Sequence, residues 1–363
     1  MKIWAGLRLS LIVGLVWATP FSWGSVVQTP SWKKTYHRPY ALDLIQFQMG
    51  PLCKTLTLPQ GSLPCHPGDL GAPERRNQSF FSLNGYLSGD IPEVENFERY
   101  LSANKSLELI ESLFYKKRIV SAQVGTGLQG QHNQFGYAIG PVELSYFSVA
   151  RSDSNPRLAV QLMRRHSLRF DWGEEIHPNV LFGLSLRGEH RRFVQEDLFL
   201  LEALSQPGQH LQPREQNSLF LDPAIKVRSQ DWGWPVSFSV SLSQLGLTDQ
   251  RYEEAKPIPS FNVGSAVKVP VSRGDLELAY SISRPPIGRH RWGDWALGAV
   301  YAVEKLYTYA VLEDYRWAIG GQLRFDSLLL GLSFDQERLR YFSQGSNFRD
   351  HSNRFSLSAA LSF

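Results

Sequence analysis

The sequence ends with Arg354-Phe-Ser-Leu-Ser-Ala-Ala-Leu-Ser-Phe363, in which apolar and polar residues alternate. The apolar side chains that fall on one face are Phe355, Leu357, Ala359, Leu361 and Phe363. The opposite face carries Arg354 and serines, and Ala360 is its one apolar member. A repeat of two residues is typical of a β-strand with one apolar and one polar face. The stretch therefore predicts a strand whose two faces meet different surroundings, rather than the frayed end of a soluble domain.

The same alternation recurs along most of the chain. In Val236–Ser243 every even position is apolar and every odd position is serine. We count fourteen candidate strands, near residues 78–88, 119–130, 134–150, 157–172, 178–193, 218–228, 234–245, 260–271, 275–284, 293–303, 305–313, 315–325, 327–339 and 353–363. An even number of strands of about ten residues is typical of single-chain outer-membrane barrels.

The connections between these segments alternate in length. Short connections follow every second strand, and the others are longer, such as 194–217 and 340–352, apart from a tight link at Asp314. Outer-membrane barrels have short periplasmic turns and longer outer loops. The sequence therefore predicts an all-β fold, a transmembrane antiparallel β-barrel of about 14 strands over residues 77–363. We also expect tryptophans near the strand ends to form interfacial girdles: Trp172, Trp232, Trp234, Trp292, Trp295 and Trp317.

The first 24 residues are predicted to be an export signal. Lys2 and Arg8 flank a short apolar run, and small residues follow it. We expect cleavage between about residues 18 and 25 and a location in the outer membrane of a Gram-negative bacterium. The alternative, an uncleaved anchor, is disfavoured because the run is shorter than the ~20 apolar residues that a helical span needs.

The charge of the chain excludes some classes of partner. The formal net charge is +4, and removal of residues 1–24 lowers it to +2. Because this surplus is small and scattered, we expect no nucleic acid partner. The expected partners are outer-membrane lipid and lipopolysaccharide, a hydrophobic small-molecule ligand and envelope proteins.

Residues 25–76 are predicted to form a periplasmic hatch that plugs the lumen. The segment holds both cysteines of the chain, and a closely spaced pair in an exported protein indicates a Cys53–Cys65 disulfide. A loop of that size would stabilise the fold by about 3 kcal/mol. Cys53, Cys65 and His66 leave a zinc shell incomplete, so we expect no metal. The plug turn is predicted at His66, Pro67 and Gly68.

Residues 91–117 break the strand pattern and predict a short helical insertion. Asp90 and Glu93 have the spacing of a capping box. The apolar stripe then rotates near residues 102–105, which indicates two short helices on the outer side. They are interpreted either as a lid packed on the rim or as an apolar capture groove, and the lid is favoured.

The polar faces of the predicted strands place many charges toward the lumen. The candidates are Arg157, Arg165, Arg169, Asp171, Arg187, Glu189, Asp222, Lys226, Lys268, Asp275, Glu277 and Arg324. Mixed charges on so many strands indicate ion-paired walls or contacts with the plug, because a hydrophobic substrate would lose apolar contacts in passing them.

With its export signal, cysteine-bearing hatch, fourteen strands and terminal aromatic residue, the chain resembles the FadL-type outer-membrane barrels. That superfamily includes long-chain fatty-acid and aromatic-hydrocarbon transporters, TraF-like conjugation proteins and secretion-linked barrels. Of the Asn-Pro-Ala turn found in family hatches only Pro67 is shared, and Leu221–Ala224 resembles a segment of the TraF-like branch. The resemblance implies that Phe363 is an assembly signal, read by the barrel-assembly machinery.

The resemblance implies passage of small or hydrophobic molecules across the outer membrane, without a cofactor. The alternative is a non-transporting scaffold or accessory component of a secretion, conjugation or envelope-assembly machine. An enzyme is not expected: His351 and Ser352 are adjacent in a predicted outer loop, whereas catalytic pairs are normally brought together from separate elements.

Overall fold

The structure is a computed structural model that describes residues 48–56, 63–75, 77–89, 119–151, 157–199, 213–229, 233–248, 252, 259–284, 294–314, 316–343 and 346–363. The predicted signal peptide (1–24) and helical insertion (91–117) lie outside the described residues, so both stay predictions. Within the described part of the chain, no helix is long and apolar enough to cross a membrane.

The strands follow one another around a single antiparallel sheet. They are β1 (Ser79–Gly89), β2 (Ile119–His132), β3 (Phe135–Arg151), β4 (Arg157–His177), β5 (Val180–Phe199), β6 (Arg214–Ser229), β7 (Val236–Ser243), β8 (Leu245–Gly246), β9 (Ser260–Val271), β10 (Gly274–Arg284), β11 (Asp294–Val303), β12 (Leu306–Glu313), β13 (Arg316–Phe325), β14 (Leu328–Ser343) and β15 (Ser346–Ser362). Each strand pairs with the next one, except that β7 pairs with β9 and β8 pairs with β6, and β15 pairs with β1. The sheet is therefore a closed up-and-down barrel, which confirms the predicted fold class.

The short β8 continues β7 after an interruption of one residue. Gln244 has a φ of 61° and lies between the two pieces, both of which pair with β6. The Asp222 side chain accepts a hydrogen bond from the backbone N–H of Gln244 and so satisfies the donor that the interruption frees. Counted together, the two pieces give the fourteen strands predicted from the alternation.

The two faces of the wall differ as the alternation predicts. On β15, Leu357 is 52% exposed on the outside, whereas Ser356 is fully buried on the inside. Other strands repeat the pattern, with large apolar side chains outside and buried serine, glutamine or charged side chains inside. The two ends of the sheet close through reciprocal backbone hydrogen bonds between Phe81 and Phe363, whose rings lie 6.2 Å apart.

The short turns lie at one end of the barrel, together with the start of β1 and the end of β15. Four of these turns contain a non-glycine residue with positive φ, which is Asn133, Asn179, Glu304 or Asp326. Because short turns are periplasmic in outer-membrane barrels, this is the periplasmic end, and the opposite end is the outer one.

Two predicted outer loops are shorter in the structure than expected. β14 and β15 continue as a hairpin to Ser343 and Ser346, so the predicted loop 340–352 was wrong. Strands β5 and β6 extend to Phe199 and from Arg214, into the predicted loop 194–217. Beyond the hydrocarbon no lipid requires alternating polarity, so the sequence pattern ended before the strands did. His351 and Ser352 are consecutive residues of β15.

Aromatic side chains mark both boundaries of the wall. Trp172 packs edge-on against Phe182 at a centroid distance of 6.0 Å toward the periplasmic end. At the outer boundary, Trp317 and Phe355 flank Phe334 with centroids 5.3 and 5.0 Å away. Trp234 is exposed and Trp295 lies in β11, while Trp232 and Trp292 lie outside the described residues.

Candidate functional site

Two pieces of chain before β1, residues 48–56 and 63–75, contact the inward-facing side chains of the wall; together they are called the hatch segment. Each contains a short 3-10 helix, Gly50–Lys54 and Pro67–Gly71. The predicted disulfide is confirmed: Cys53 and Cys65 are bonded, with Cα atoms 5.6 Å apart. That the hatch segment acts as a plug remains a prediction.

The first piece begins against β13–β15. The Gln48 side-chain amide donates to Ser333 Oγ at 2.9 Å and Ser356 Oγ at 3.2 Å. Arg316 Nη1 donates to Gln48 Oε1 at 2.8 Å and Nη2 donates to Gln48 O, while Arg316 also pairs with Glu313 at 3.0 Å. All of these side chains are buried, and the polar groups of the hatch segment and the wall are hydrogen-bonded to one another.

The same piece covers an apolar part of the lumen. Met49, Leu52 and Leu56 are almost fully buried in a cluster with wall residues that we call the apolar stripe: Ala266, Ala279, Ala296, Val300, Tyr309, Val311 and Ala318. A Cβ added at Gly298 would lie 2.7 Å from Leu52 Cδ1, so the missing side chain leaves room for the leucine. The charges of the lumen therefore do not surround it evenly.

The second piece packs on the periplasmic ends of β3–β6. The backbone of the hatch segment is in direct contact with the backbones of β4 and β5. A Cβ at Gly183 would overlap the backbone N of Gly68, and one at Gly173 would overlap Pro67 O. Lys226 Nζ on β6 lies 3.0 Å from Asp69 Oδ2, with both side chains buried. Burial alone would raise the pKa of Asp69, but the charge and hydrogen bond of Lys226, together with His66 and Arg75, outweigh it, so the pKa is lowered. The ion pair and the close packing hold the piece against the wall.

The predicted plug turn lies in this second piece. His66 precedes the helix Pro67–Gly71 in extended conformation and is fully buried. Burial lowers the pKa of His66 to about 4, with Lys226 and Lys54 adding to the effect and Asp69 opposing it. His66 is therefore neutral near pH 7.

Predicted lumen charges meet on β4 and β5. Glu189 pairs with Arg191 at 2.7 Å, with Arg187 at 3.1 Å and with Arg165 at 3.9 Å, and all four side chains are buried. The guanidinium groups of Arg187 and Arg191 lie over the ring of Phe220, which sequence reasoning did not select. One carboxylate facing three guanidinium groups gives this wall a positive excess.

The charged wall reaches the hatch segment. Arg169 donates to Asp171 Oδ1 at 2.8 Å and to Pro64 O at 3.3 Å. Lys54 donates to Ser243 Oγ, and burial lowers the pKa of Lys54 to about 8. The lumen thus has an apolar side on β9–β13 and a positively charged side on β4–β6.

The remaining predicted positions are not all part of this site. Lys268 and Asp275 form an exposed pair at 2.8 Å near the periplasmic end, and Glu277 is buried on β10. Arg324 is half-buried near the periplasmic end of β13, and the side chain of Arg157 falls outside what the structure describes.

Sequence reasoning missed the charged residues that face Gln48. Arg316 and Glu313 were not among the selected candidates, nor was the buried pair of Arg354 Nε and Asp335 Oδ2, 3.0 Å apart. Their positions on the polar face of the alternation are the signal that could have found them. Among the described residues, no group of three or more His, Cys, Asp or Glu side chains is arranged to hold a metal ion.

No protein-family model matches the chain, and no curated protein matches it. Among solved structures it is similar to the toluene transporter TodX of Pseudomonas putida, with 10% identity and a TM-score of 0.44 over 87% of this chain and 98% of that one. The monoaromatic hydrocarbon channel CymD gives 9% identity and a TM-score of 0.43 over 89% and 99%. CdiB from Acinetobacter baumannii gives 8% and 0.36 over 79% of this chain, which spans 60% of CdiB. At these values the similarities support no conclusion about what this chain binds or transports.

Proposed function

We propose that this chain is an outer-membrane channel for small hydrophobic molecules and that the hatch segment is its gate. The observation that carries the proposal is the apolar stripe on β9–β13, which Met49, Leu52 and Leu56 cover. If the first piece of the hatch segment withdraws, a hydrophobic molecule can take the place of these three side chains. Burial of apolar surface there would offset the loss of the packed hatch, at about 25 cal/mol per Å².

The two sides of the lumen support different roles. The charged side on β4–β6 contacts the second piece through backbone packing and the Asp69–Lys226 pair. The apolar side contacts the first piece, which is otherwise held by hydrogen bonds of Gln48 and Arg316. We propose that residues 48–56 leave the wall first, that residues 63–75 are the more firmly docked piece whose release opens the lumen fully, and that the Cys53–Cys65 bond limits the movement.

The proposal is tested by placing a carboxylate in the apolar stripe. Ala296→Asp should reduce uptake of a radiolabelled monoaromatic hydrocarbon into proteoliposomes at least tenfold, because a buried carboxylate on the path is costly to desolvate. Ser167→Asp is the matched control, since it places the same charge on the arginine-rich side of the lumen. Equal uptake by the wild type, Ala296→Asp and protein-free vesicles would refute hydrocarbon passage.

A second candidate, a non-transporting scaffold, is favoured by the uneven height of the wall. β14 and β15 pair as far as Ser343 and Ser346, whereas β12 ends at Glu313 and β13 begins at Arg316. A raised sheet at the outer end offers partners a surface. Crosslinking from residues 340–350 in intact cells should recover a stoichiometric envelope protein if this function is right, and hydrocarbon uptake should then be absent.

The remaining expectations are part of the same proposal. We propose that residues 1–24 are cleaved and that residues 25–76 form the hatch. We also propose that Phe363, which directly follows β15, is recognised by the barrel-assembly machinery. The apolar outer surface of the wall supports a location in the outer membrane.

A further inference from the structure

The outer surface of β4 and β5 changes character abruptly on the way to the outer end. Leu168 on β4 and Leu186 on β5 are exposed and belong to the apolar band. The next outward positions on β4 are His166 and Arg164, and those on β5, beyond Gly188, are His190 and Arg192. We call these last four residues the outer basic cluster. They lie at the level where hydrocarbon gives way to lipid head groups.

The register of the sheet concentrates these groups. Arg164 is the cross-strand partner of Arg192, and His166 is the partner of His190. The two imidazole rings have centroids 6.2 Å apart. Like charges directly opposite each other destabilise an antiparallel sheet. A pair of facing arginines on an exposed surface therefore indicates that an anion from outside the chain lies between them.

Few groups of the protein itself neutralise the cluster. Arg192 pairs with Glu215 on β6 at 3.6 Å, with both side chains more than half exposed. His190 donates from Nδ1 to Asn217 Oδ1 at 2.7 Å, so its Nε2 atom takes no part in this bond. Within the described ranges, Arg164 makes no ion pair. Two arginines and one glutamate leave an excess of positive charge beside the apolar band.

The same level on the opposite side of the barrel is different. There Trp317, Phe334 and Phe355 stack, and Trp317 Nε1 donates to Gln336 Oε1 at 3.0 Å. Gln336 in turn donates to Asn353 at 2.9 Å, so the boundary is aromatic and neutral. This aromatic, neutral boundary contrasts with the positive charge on β4 and β5.

We propose that the outer basic cluster binds a phosphate group of lipopolysaccharide, with the lipid chains lying along the apolar band below it. Guanidinium groups bind phosphate through paired charge-assisted hydrogen bonds, and the histidines add further donors. The position commits the site to a phosphate carried by a lipid, because the cluster continues directly into the lipid-facing surface. The complementary charge and the apolar band recognise the two parts of one molecule.

The test measures binding of lipopolysaccharide with short sugar chains to the full-length barrel in nanodiscs. Arg164→Gln together with Arg192→Gln should weaken binding about 25-fold, from about fivefold per arginine near an anionic lipid surface. Lys305→Gln with Arg273→Gln is the matched control, because it removes two exposed cations at the periplasmic end. The control should stay within twofold of the wild type. Heat-modifiable migration in gels checks that each variant is a folded barrel.

A second measurement needs no variant. Enzymatic removal of the lipid phosphates should lower binding by the wild type to the level of the double arginine variant. Unchanged binding after phosphate removal, or equal binding by the variant, would overturn the proposal. Inorganic phosphate that competes at millimolar concentration as well as the lipid would show that the site takes free anions and would also overturn it.

Discussion

The ion pair of Lys226 and Asp69 joins the hatch segment to β6, and Lys226→Met tests whether this contact holds the hatch in place. Nζ lies 3.0 Å from Asp69 Oδ2, and the side chains are 1% and 11% exposed. Nζ also lies 3.4 Å from the carbonyl oxygen of Leu56. Methionine keeps most of the volume of lysine, but it leaves the Asp69 carboxylate buried without its counter-charge.

The magnitude follows from the burial of the pair. Removing one partner of a buried ion pair costs about 3–5 kcal/mol. Because the pair joins the hatch segment to the wall, this cost falls on the docking equilibrium and not on the pairing of strands. A loss of 3 kcal/mol changes an equilibrium constant by about 150-fold. We therefore expect the undocked fraction to rise by at least about 100-fold.

Single-channel recording in planar bilayers measures this fraction as the share of time spent open. Arg228→Gln is the control, because Arg228 lies two residues further along β6 and its pair with Glu74 is partly solvent-exposed. Such pairs contribute about 0–1 kcal/mol, so the open fraction should change less than fivefold. Asp69→Asn combined with Lys226→Met should recover much of the wild-type closure. An open fraction unchanged in Lys226→Met, or equally raised in Arg228→Gln, would refute the reasoning.

Three further predictions concern the same segment. The pKa of His66 is lowered to about 4 from an ordinary 6.5, so docking of the hatch segment is fully stable above about pH 6.5 and weakens as the pH falls toward 4. At pH 5 the undocked fraction should rise about 30-fold. His66→Gln should remove this pH dependence in the same recordings. Replacing Cys53 and Cys65 by serine should destabilise the hatch segment by about 3 kcal/mol, which limited proteolysis would detect as cleavage between residues 48 and 75 while the barrel stays intact; resistance equal to the wild type would contradict it. Arg316→Gln removes the donors to Gln48 and leaves Glu313 buried without its partner, so a crosslink between residues 48 and 333 should form at least tenfold more slowly, whereas Lys305→Gln should leave its rate unchanged.

Much of the wall could be predicted because polar and apolar residues alternate within each single strand. In Val236–Ser243 the serines face the lumen and the apolar residues face outward, as the odd and even positions predict. The strands were underestimated at residues 340–352, where the consecutive polar residues Arg349-Asp-His-Ser352 interrupt the alternation. The physical cause is that polarity alternates along a strand where one face meets lipid and the other meets the lumen. The alternation weakens where both faces meet water.

The candidate site could be predicted only in part. Their positions in the alternation predicted that Arg187, Glu189 and Lys226 face inward, but they did not predict which charged groups form ion pairs. The contact of Gln48 with Ser356 joins residues 308 positions apart, and it exists because the barrel closes around the chain. The apolar stripe was hidden for the same reason, since small residues such as Ala296 and Ala318 gave no signal of a shared surface.

The sequence by itself determined that residues of opposite polarity alternate, and hence the strands, their number and the faces that meet lipid. Only the tertiary structure decided that the lumen is apolar on one side and positively charged on the other, and that the outward arginines of β4 and β5 face each other. The reason is that polarity along a strand is a local property, whereas the grouping of side chains across strands depends on register and closure, which no single segment encodes.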